Sequence, residues 1–412
     1  MIDSFPLEIS QDILFRLPPK CLIKCTLVCK SWRSLIKNRN FIRTHLSYNN
    51  RHGTPLLLLH CITRDSCHTY AYQVFLDEER EERYSLHYDN PTFDEYCKLE
   101  FPIVDVEKMC NPCFRVVGTC NGLVCLADDL GADGNIFVIC NPSIRKLVTL
   151  PEPNVRMKSN VRYNVSIGFG FDANTNDYKV VRLVTLLYDH LGDPEKRTVA
   201  EVYSLAAGSW RSWRHVSRVS RMDACTPQAF VNGTLHWQAV CETKGASYHF
   251  ILTFDLGSEL FSEIMMPEIF KPSPSNQQLQ LSASGDGKSI ALFWRVYGLY
   301  MDDRLLDIWV MKEYGVPESW TKLTTLWAVG PEQSLLPKAL CFRKTGEVVL
   351  ELVDEDVCHY FWLFTCPGHG LYSIDPVSTE FKYLGISGYK YYTIESYEES
   401  LVLLDMDNAV SY

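Results

Sequence analysis

The sequence predicts an α+β chain of two parts: a short N-terminal module of three helices, then an all-β repeat domain, a β-propeller with a β-sandwich as the alternative. Apolar residues recur at helical spacing only as far as about residue 46, strand-like alternation takes over from about residue 118, and a hairpin motif of nearly constant spacing returns five times after that. The implied division is residues 1–46 helical, 47–117 a connecting segment able to supply first or closing strands, and 118–412 the repeat domain.

In "DSFPLEISQDILFRLPPK", Pro6 suits a first helical position and Glu8 falls in the first turn, where its charge complements the helix dipole. Ile9, Ile13, Leu14 and Leu17 form one apolar face, and Pro18-Pro19 ends the helix. A second helix is expected through "KCLIKCTLVCKSWRSLI", where Leu22, Cys25, Val28, Cys29, Trp32, Leu35 and Ile36 share a face and Lys24, Lys30, Arg33 and Lys37 lie mostly opposite. "NRNFIRTHL" adds a third, carrying Phe41, Ile42 and Leu46. Three short helices cannot bury all these side chains among themselves, so a surface is expected to remain for a partner.

Charge separates the same two parts. Residues 1–46 hold eight Lys and Arg against three acids, a balance of +5, which leaves −15 on the rest of a chain whose formal net charge is −10. A basic module suggests an acidic partner. Nucleic acid is disfavoured because apolar residues interrupt the basic ones and no Asn or Gln stands at base-reading positions.

The 412 residues contain no secretory leader pattern and no apolar run of the 18 or more that a spanning helix needs, so cytosol or nucleus is expected and membrane association is not. Sixteen cysteines in a reducing compartment read as small buried hydrophobes, and the sequons at Asn164 and Asn232 are discounted.

The repeat aligns without gaps as "ICNPSIRKLVTL" (139–150), "VYSLAAGSWRSW" (202–213), "TFDLGSELFSEI" (253–264) and "SIDPVSTEFKYL" (373–384). Each copy has Asn141, Ser204, Asp255 or Asp375, then Leu147, Trp210, Phe261 or Phe381 six residues on, then Leu150, Trp213, Ile264 or Leu384. A fifth copy, "VMKEYGVPESWTKL", reaches Trp320 and Leu323 with a longer turn. Asn141-Pro142 and Asp375-Pro376 suit a type I turn, and Gly208, Gly257 and Gly315 are expected to supply positive φ. A second hairpin in each unit is signalled by "CNGLVCL", "FDANTNDYKVVRLV", "VNGTLHWQA", "GDGKSIALFW" and "KTGEVVLEL". Two hairpins make a four-stranded blade. "TPLLLLHC", "YAYQVFL" and the terminal "ESLVLLD" are expected to complete a sixth from both chain ends. Residues 77–113 interrupt the pattern, and "DEEREER" within them reads as a solvated charge run.

No catalytic constellation emerges. Gly168, Gly170 and Ala173 mimic a dinucleotide fingerprint but precede a turn rather than a helix. Cys21, Cys25 and Cys29, and likewise Cys110, Cys113, Cys120 and Cys125, have metal-like spacing with no histidine among them. His236 and His359 alternate within strands and read as core or rim. No metal and no cofactor is expected.

The run "FPLEISQDILFRLPPKCLIKCTLVCKSWRSLIKNRNFIRTHL" resembles an F-box, with Phe5 where the family usually has Leu. The later stretches "CNGLVCL", "NPSIRKLVTLP", "FGFDANTNDYKVVRL", "FDLGSELF" and "IWVMKEYGVPESW" resemble the plant F-box-associated domain, and "ESLVLL" is similar to the ending of S-locus F-box and S-locus F-box-like proteins. The resemblance implies a non-catalytic subunit of a cullin-based SCF ubiquitin ligase. Its F-box would bind a Skp-type adaptor through Pro6, Ile9, Leu14, Leu17, Pro18, Leu22, Val28, Cys29, Trp32 and Leu35. Its repeat domain would bind a target protein, in S-locus members a ribonuclease in pollen. The long insertions "LLYDHLGDPEKRT" and "MPEIFKPSPSNQQ" suggest loops at one rim as the target face. The alternative is a sugar-binding or catalytic propeller with a ligase-independent role, which as a glycosidase would need two carboxylates across a site.

Overall fold

The computed structural model describes residues 7–63, 82–101, 113–129, 136–155, 163–186, 198–216, 219, 221–222, 228–243, 246–267, 277–296, 304–329, 335–354, 368–389, 391–406 and 408–412. Four helices come first: α1 (Leu7–Phe15), α2 (Pro19–Cys25), α3 (Lys30–Ile36) and α4 (Arg39–His52). The expected second helix is therefore two.

Local chemistry accounts for the break. The amides of Thr26, Leu27 and Val28 bond to carbonyls three residues back, and the Thr26 hydroxyl donates to the Ile23 carbonyl at 2.6 Å, tightening the helix end. Cys29 is then extended (φ −154°, ψ 163°), and its sulfur caps α3 by accepting the Trp32 amide at 3.4 Å. Asn38 caps α4 in the ordinary way, its side-chain oxygen accepting the Asn40 amide at 2.8 Å.

The chain then enters the sheets through β1 (Leu56–Ile62), β2 (Glu82–Tyr88) and β3 (Glu95–Leu99). Blade one is β4 (Arg115–Cys120), β5 (Leu123–Ala127), β6 (Phe137–Asn141) and β7 (Lys146–Thr149). Blade two is β8 (Tyr163–Asp172), β9 (Asp177–Leu186), β10 (Thr198–Ser204) and β11 (Ser209–Val216). Blade three is β12 (Ala229–Val231), β13 (Thr234–Thr243), β14 (Ala246–Asp255) and β15 (Leu260–Met265). Blade four is β16 (Gln277–Ala283), β17 (Ile290–Val296), β18 (Leu305–Met311) and β19 (Trp320–Trp327). Blade five is β20 (Leu335–Phe342), β21 (Val348–Asp354), β22 (Gly368–Ile374) and β23 (Phe381–Tyr383).

Blade six takes strands from both ends of the chain. β24 (Tyr391–Tyr397) lies beside β1 in the order β24-β1-β2-β3, with Leu56 opposite Tyr397 and Ile62 opposite Tyr391. The first strands β4, β8, β12, β16, β20 and β24 touch in that order, and β24 returns to β4. That closed circuit of six makes the domain a propeller and excludes a sandwich.

Closure differs from expectation in one respect. "ESLVLLD" forms no strand; Tyr391–Tyr397 closes the ring, and residues 401–405 fold into a turn beyond it. The predicted strand "YAYQVFL" lies outside the described residues. After the turn, β25 (Val410–Ser411) adds a short fifth strand to the outer edge of β7.

The repeated hairpin motif has a common backbone device. Four residues after Asn141, Asp172, Ser204, Asp255 and Asp375 come Arg145, Asn176, Gly208, Glu259 and Thr379, all left-handed with φ between 51° and 65°. The first residue's side chain holds the turn: Asn141, Asp172 and Asp375 each accept the amide two residues on, at 2.9–3.0 Å. Gly257 is not left-handed as the sequence reading expected; Glu259 carries that role in its turn. Gly168 and Gly170 serve packing instead, since a Cβ there would meet the Trp237 ring at 2.5 Å and the Phe230 ring at 2.6 Å. These rings come from the next blade, so both glycines tighten a seam between blades.

Candidate functional site

Six blades with twofold hairpins give the ring two different ends. The turns joining first to second and third to fourth strands leave one end, and all other connections leave the opposite one. The helices stand on the tight-turn end. Ile144, in the turn between β6 and β7, packs against them, and Lys344, in the turn between β20 and β21, lies 3.7 Å from Glu398.

The helical core is completed from the far end of the chain. Leu14, Leu22, Ile36, Phe41 and Ile42 form one buried cluster with Leu401 and Leu404. Leu14 and Leu22 are both 0% exposed, so these two of the ten expected adaptor contacts hold the module together instead of facing out. The apolar surplus of the helices is thus partly covered by the protein's own C-terminal turn. Buried His45, midway along α4, ties that helix to the link between α1 and α2, with Nε2 at 2.9 Å from the Leu17 carbonyl, and burial lowers its pKa.

What remains outside is still a face. Ile9, Ile13, Leu27 and Val28 are exposed, Leu27 by 82%, and Pro18 is exposed in the cleft between helices and propeller. Leu17, Cys29, Trp32 and Leu35 are half-buried. Pro6 lies outside the described residues. Lys24, Lys30, Arg33 and Lys37 are all exposed on the same module. Four bare aliphatic side chains on so small a unit leave apolar surface for a partner, and the module's excess of cations favours an acidic one. Ile13 and Leu27 were absent from the expected set. The spacing of Ile13 four residues after Ile9 signals it, but Leu27 stands in the helix break and had no periodic signal.

At the opposite end, the strand termini carry large aromatic residues. Trp327 ends β19 half exposed, Trp294 lies near the end of β17, Tyr163 begins β8 and Tyr248 lies near the start of β14. Aromatic side chains of this kind make good anchors for protein partners. The insertions "LLYDHLGDPEKRT" and "MPEIFKPSPSNQQ" connect β9 to β10 and β15 to β16, both at this end, and their central residues lie outside the described ones.

His236 is a satisfied core residue: its nitrogens lie 3.1 Å from the Ala229 carbonyl and 2.9 Å from the Tyr314 hydroxyl, and burial lowers its pKa to about 4. His359 and Cys110 lie outside the described residues. Among the described residues, no three His, Cys, Asp or Glu side chains are placed to hold a metal ion, and Cys120 and Cys125 are free thiols. No described helix is long and apolar enough to cross a membrane.

Four helices with bare apolar side chains stand at one end of a six-bladed ring, and the long insertions leave the other. Residues 64–361 match the F-box associated beta propeller domain and residues 2–44 the F-box domain. The chain belongs to the F-box proteins with an F-box-associated propeller. It is 30% identical to F-box protein At3g07870 of Arabidopsis thaliana, over 85% of this chain and 83% of that one. It is 27% identical to F-box protein CPR1 of the same plant, over 78% of this chain and 73% of that one. Among solved structures, the Dos1 propeller is a distant likeness, with a TM-score of 0.36 and 10% identity over 74% of this chain and 67% of that one.

Proposed function

We propose that this chain is the substrate receptor of an SCF-type ubiquitin ligase. The helices dock a Skp-type adaptor, the far end of the propeller binds a target protein, and ubiquitin transfer takes place on other subunits. The observation that carries this reading is the exposure of Ile9, Ile13, Leu27 and Val28 on a module of net positive charge that stands at the end of the ring opposite the long insertions. Pro6, Ile9, Leu17, Pro18, Val28, Cys29, Trp32 and Leu35 are the proposed contacts, with Leu14 and Leu22 supporting them from beneath. The receptor raises the local concentration of target lysines near the ubiquitin carrier. It works in cytosol or nucleus.

Co-purification with a plant Skp adaptor tests the reading. An Ile13→Asp, Val28→Asp double variant replaces exposed side chains and should keep its thermal midpoint while losing adaptor binding by more than about tenfold, as loss of central apolar anchors does. Equal binding by the variant, or no binding by the folded wild type, overturns it and favours a sugar-binding or catalytic propeller with a ligase-independent role. A ribonuclease target of the S-locus kind is a narrower form of this proposal. It rests on the ending "ESLVLL", whose Leu401 and Leu404 are engaged by the helices, so the residues behind it speak for seating the F-box more than for target choice. Capture of a secreted ribonuclease by the full chain would support the narrower form, and capture of none from pollen tissue would defeat it.

A further inference from the structure

We propose that residues 398–412 act as a strap that sets the bearing of the F-box on the propeller, so that the adaptor-docking face and the target-binding end keep one fixed relation. The first link between the two parts is short. Only Gly53, Thr54 and Pro55 separate α4 from β1, and the blades themselves meet the helices through Ile144 against their core and Lys20 over the Tyr96 ring at 5.1 Å. The strap adds the largest further attachment.

The strap is held on three sides. Toward the helices, Leu401 is 0% exposed and Leu404 is buried in their core, the Asn49 side chain donates to the Glu399 carbonyl at 3.3 Å, and the Arg39 guanidinium meets Asp405 at 2.9 Å. Toward blade one, the buried Asn141 amide donates to the Ser400 carbonyl at 3.0 Å and the Val402 carbonyl at 2.8 Å. Leu403 and Ala409 enter the core of that blade, and β25 extends its edge. Toward blade six, the strap is the direct continuation of β24. Space is tight as well: a Cβ on Gly122 would lie 2.5 Å from the Glu398 carbonyl. Leu403 is left-handed at φ 75°, a strained state for a leucine that persists only where surrounding packing imposes it.

Of the proposed docking residues, Leu17, Trp32 and Leu35 pack against this core by one side, whereas the fully bare ones take no part in it. Ile9, Ile13, Leu27 and Val28 remain bare while the opposite side of the helices grips the strap. Loosening the strap should therefore free the bearing and spare docking. Its consequence for ubiquitin transfer rests on the receptor reading above; the bearing itself does not.

Fluorophores placed through non-natural amino acids at exposed Ser47 on α4 and Val377 on blade five would report the bearing by single-molecule energy transfer in the full chain. Wild type should give one narrow population. An Asn141→Ala, Leu404→Ser variant should broaden it while binding the adaptor within about threefold of wild type. Arg39→Ala, which leaves every core untouched, should broaden it less. An unchanged distribution in a variant whose thermal unfolding shows the altered packing would overturn the strap, and so would loss of adaptor binding together with broadening, since the strap would then be part of the docking fold. Broadening in a chain that never binds the adaptor would leave the strap standing and remove the receptor reading.

Discussion

The two ends of the ring are built on opposite terms. At the helix-bearing end five turns are closed by an Asn, Asp or Ser side chain and completed by a left-handed residue four positions on. At the far end most connections are longer, and the described strand termini present aromatic side chains such as Trp327. One end repeats because the same backbone problem recurs five times; the other varies because no common geometry binds it. A scaffold with one constant end and one variable end suits a common adaptor and a chosen target.

The contrast can be broken most strongly at the helix-bearing end. Leu22→Ala would empty a fully buried site between helices and strap, so it should cost about 2–5 kcal/mol in chemical denaturation. Val28→Ala on the exposed face should cost far less, and equal losses would mean that the two sides of the helices are not distinct.

A second, smaller effect belongs to the inner ring. Burial pushes the Glu395 carboxyl on β24 up to about 8, and nearby Arg115 offsets this only in part, being engaged by Asp129 at 2.9 and 2.7 Å. Below the unfolded carboxyl's pKa both states hold the proton and no penalty exists. Between that value and about 8 the folded state keeps the proton and the unfolded state releases it, so stability falls as pH rises and then levels off. Glu395→Gln should remove this slope and stabilise the protein by about 2 kcal/mol at pH 9. Parallel pH profiles for variant and wild type would show that the carboxyl is not desolvated there.

The smallest effect on stability is expected at the far end. Trp327→Ala removes a half-exposed ring, and its unfolding free energy should stay within about 0.5 kcal/mol of wild type while target capture weakens. A large loss of stability would place Trp327 in the scaffold and move the target surface elsewhere.

Much of this was legible from residues. The spacing from Asn141 to Leu147 and from Asp375 to Phe381 marks third and fourth strands of a blade, because a turn of fixed length needs its polar closer and its next apolar residue at fixed positions. The helix stop at Pro18-Pro19 was legible because the residue before a proline is held out of helical geometry. The break at Thr26–Cys29 was less so, since the apolar period runs straight through it and only the tightened hydrogen bonds reveal it. Leu14 and Leu22 were legible as apolar and periodic, yet nothing local distinguishes a side chain that meets an adaptor from one that meets Leu401.

Turns, caps and periodicity act over a few residues, so the kinds of element, the repeat and the helical module follow from neighbouring residues alone. Tertiary structure alone decided that Tyr391–Tyr397 closes the ring beside Leu56–Ile62, and that the C-terminal turn covers one side of the helices and leaves the other bare. Those choices pair residues more than 300 positions apart, where local preference is silent and the burial of shared apolar surface selects the partner.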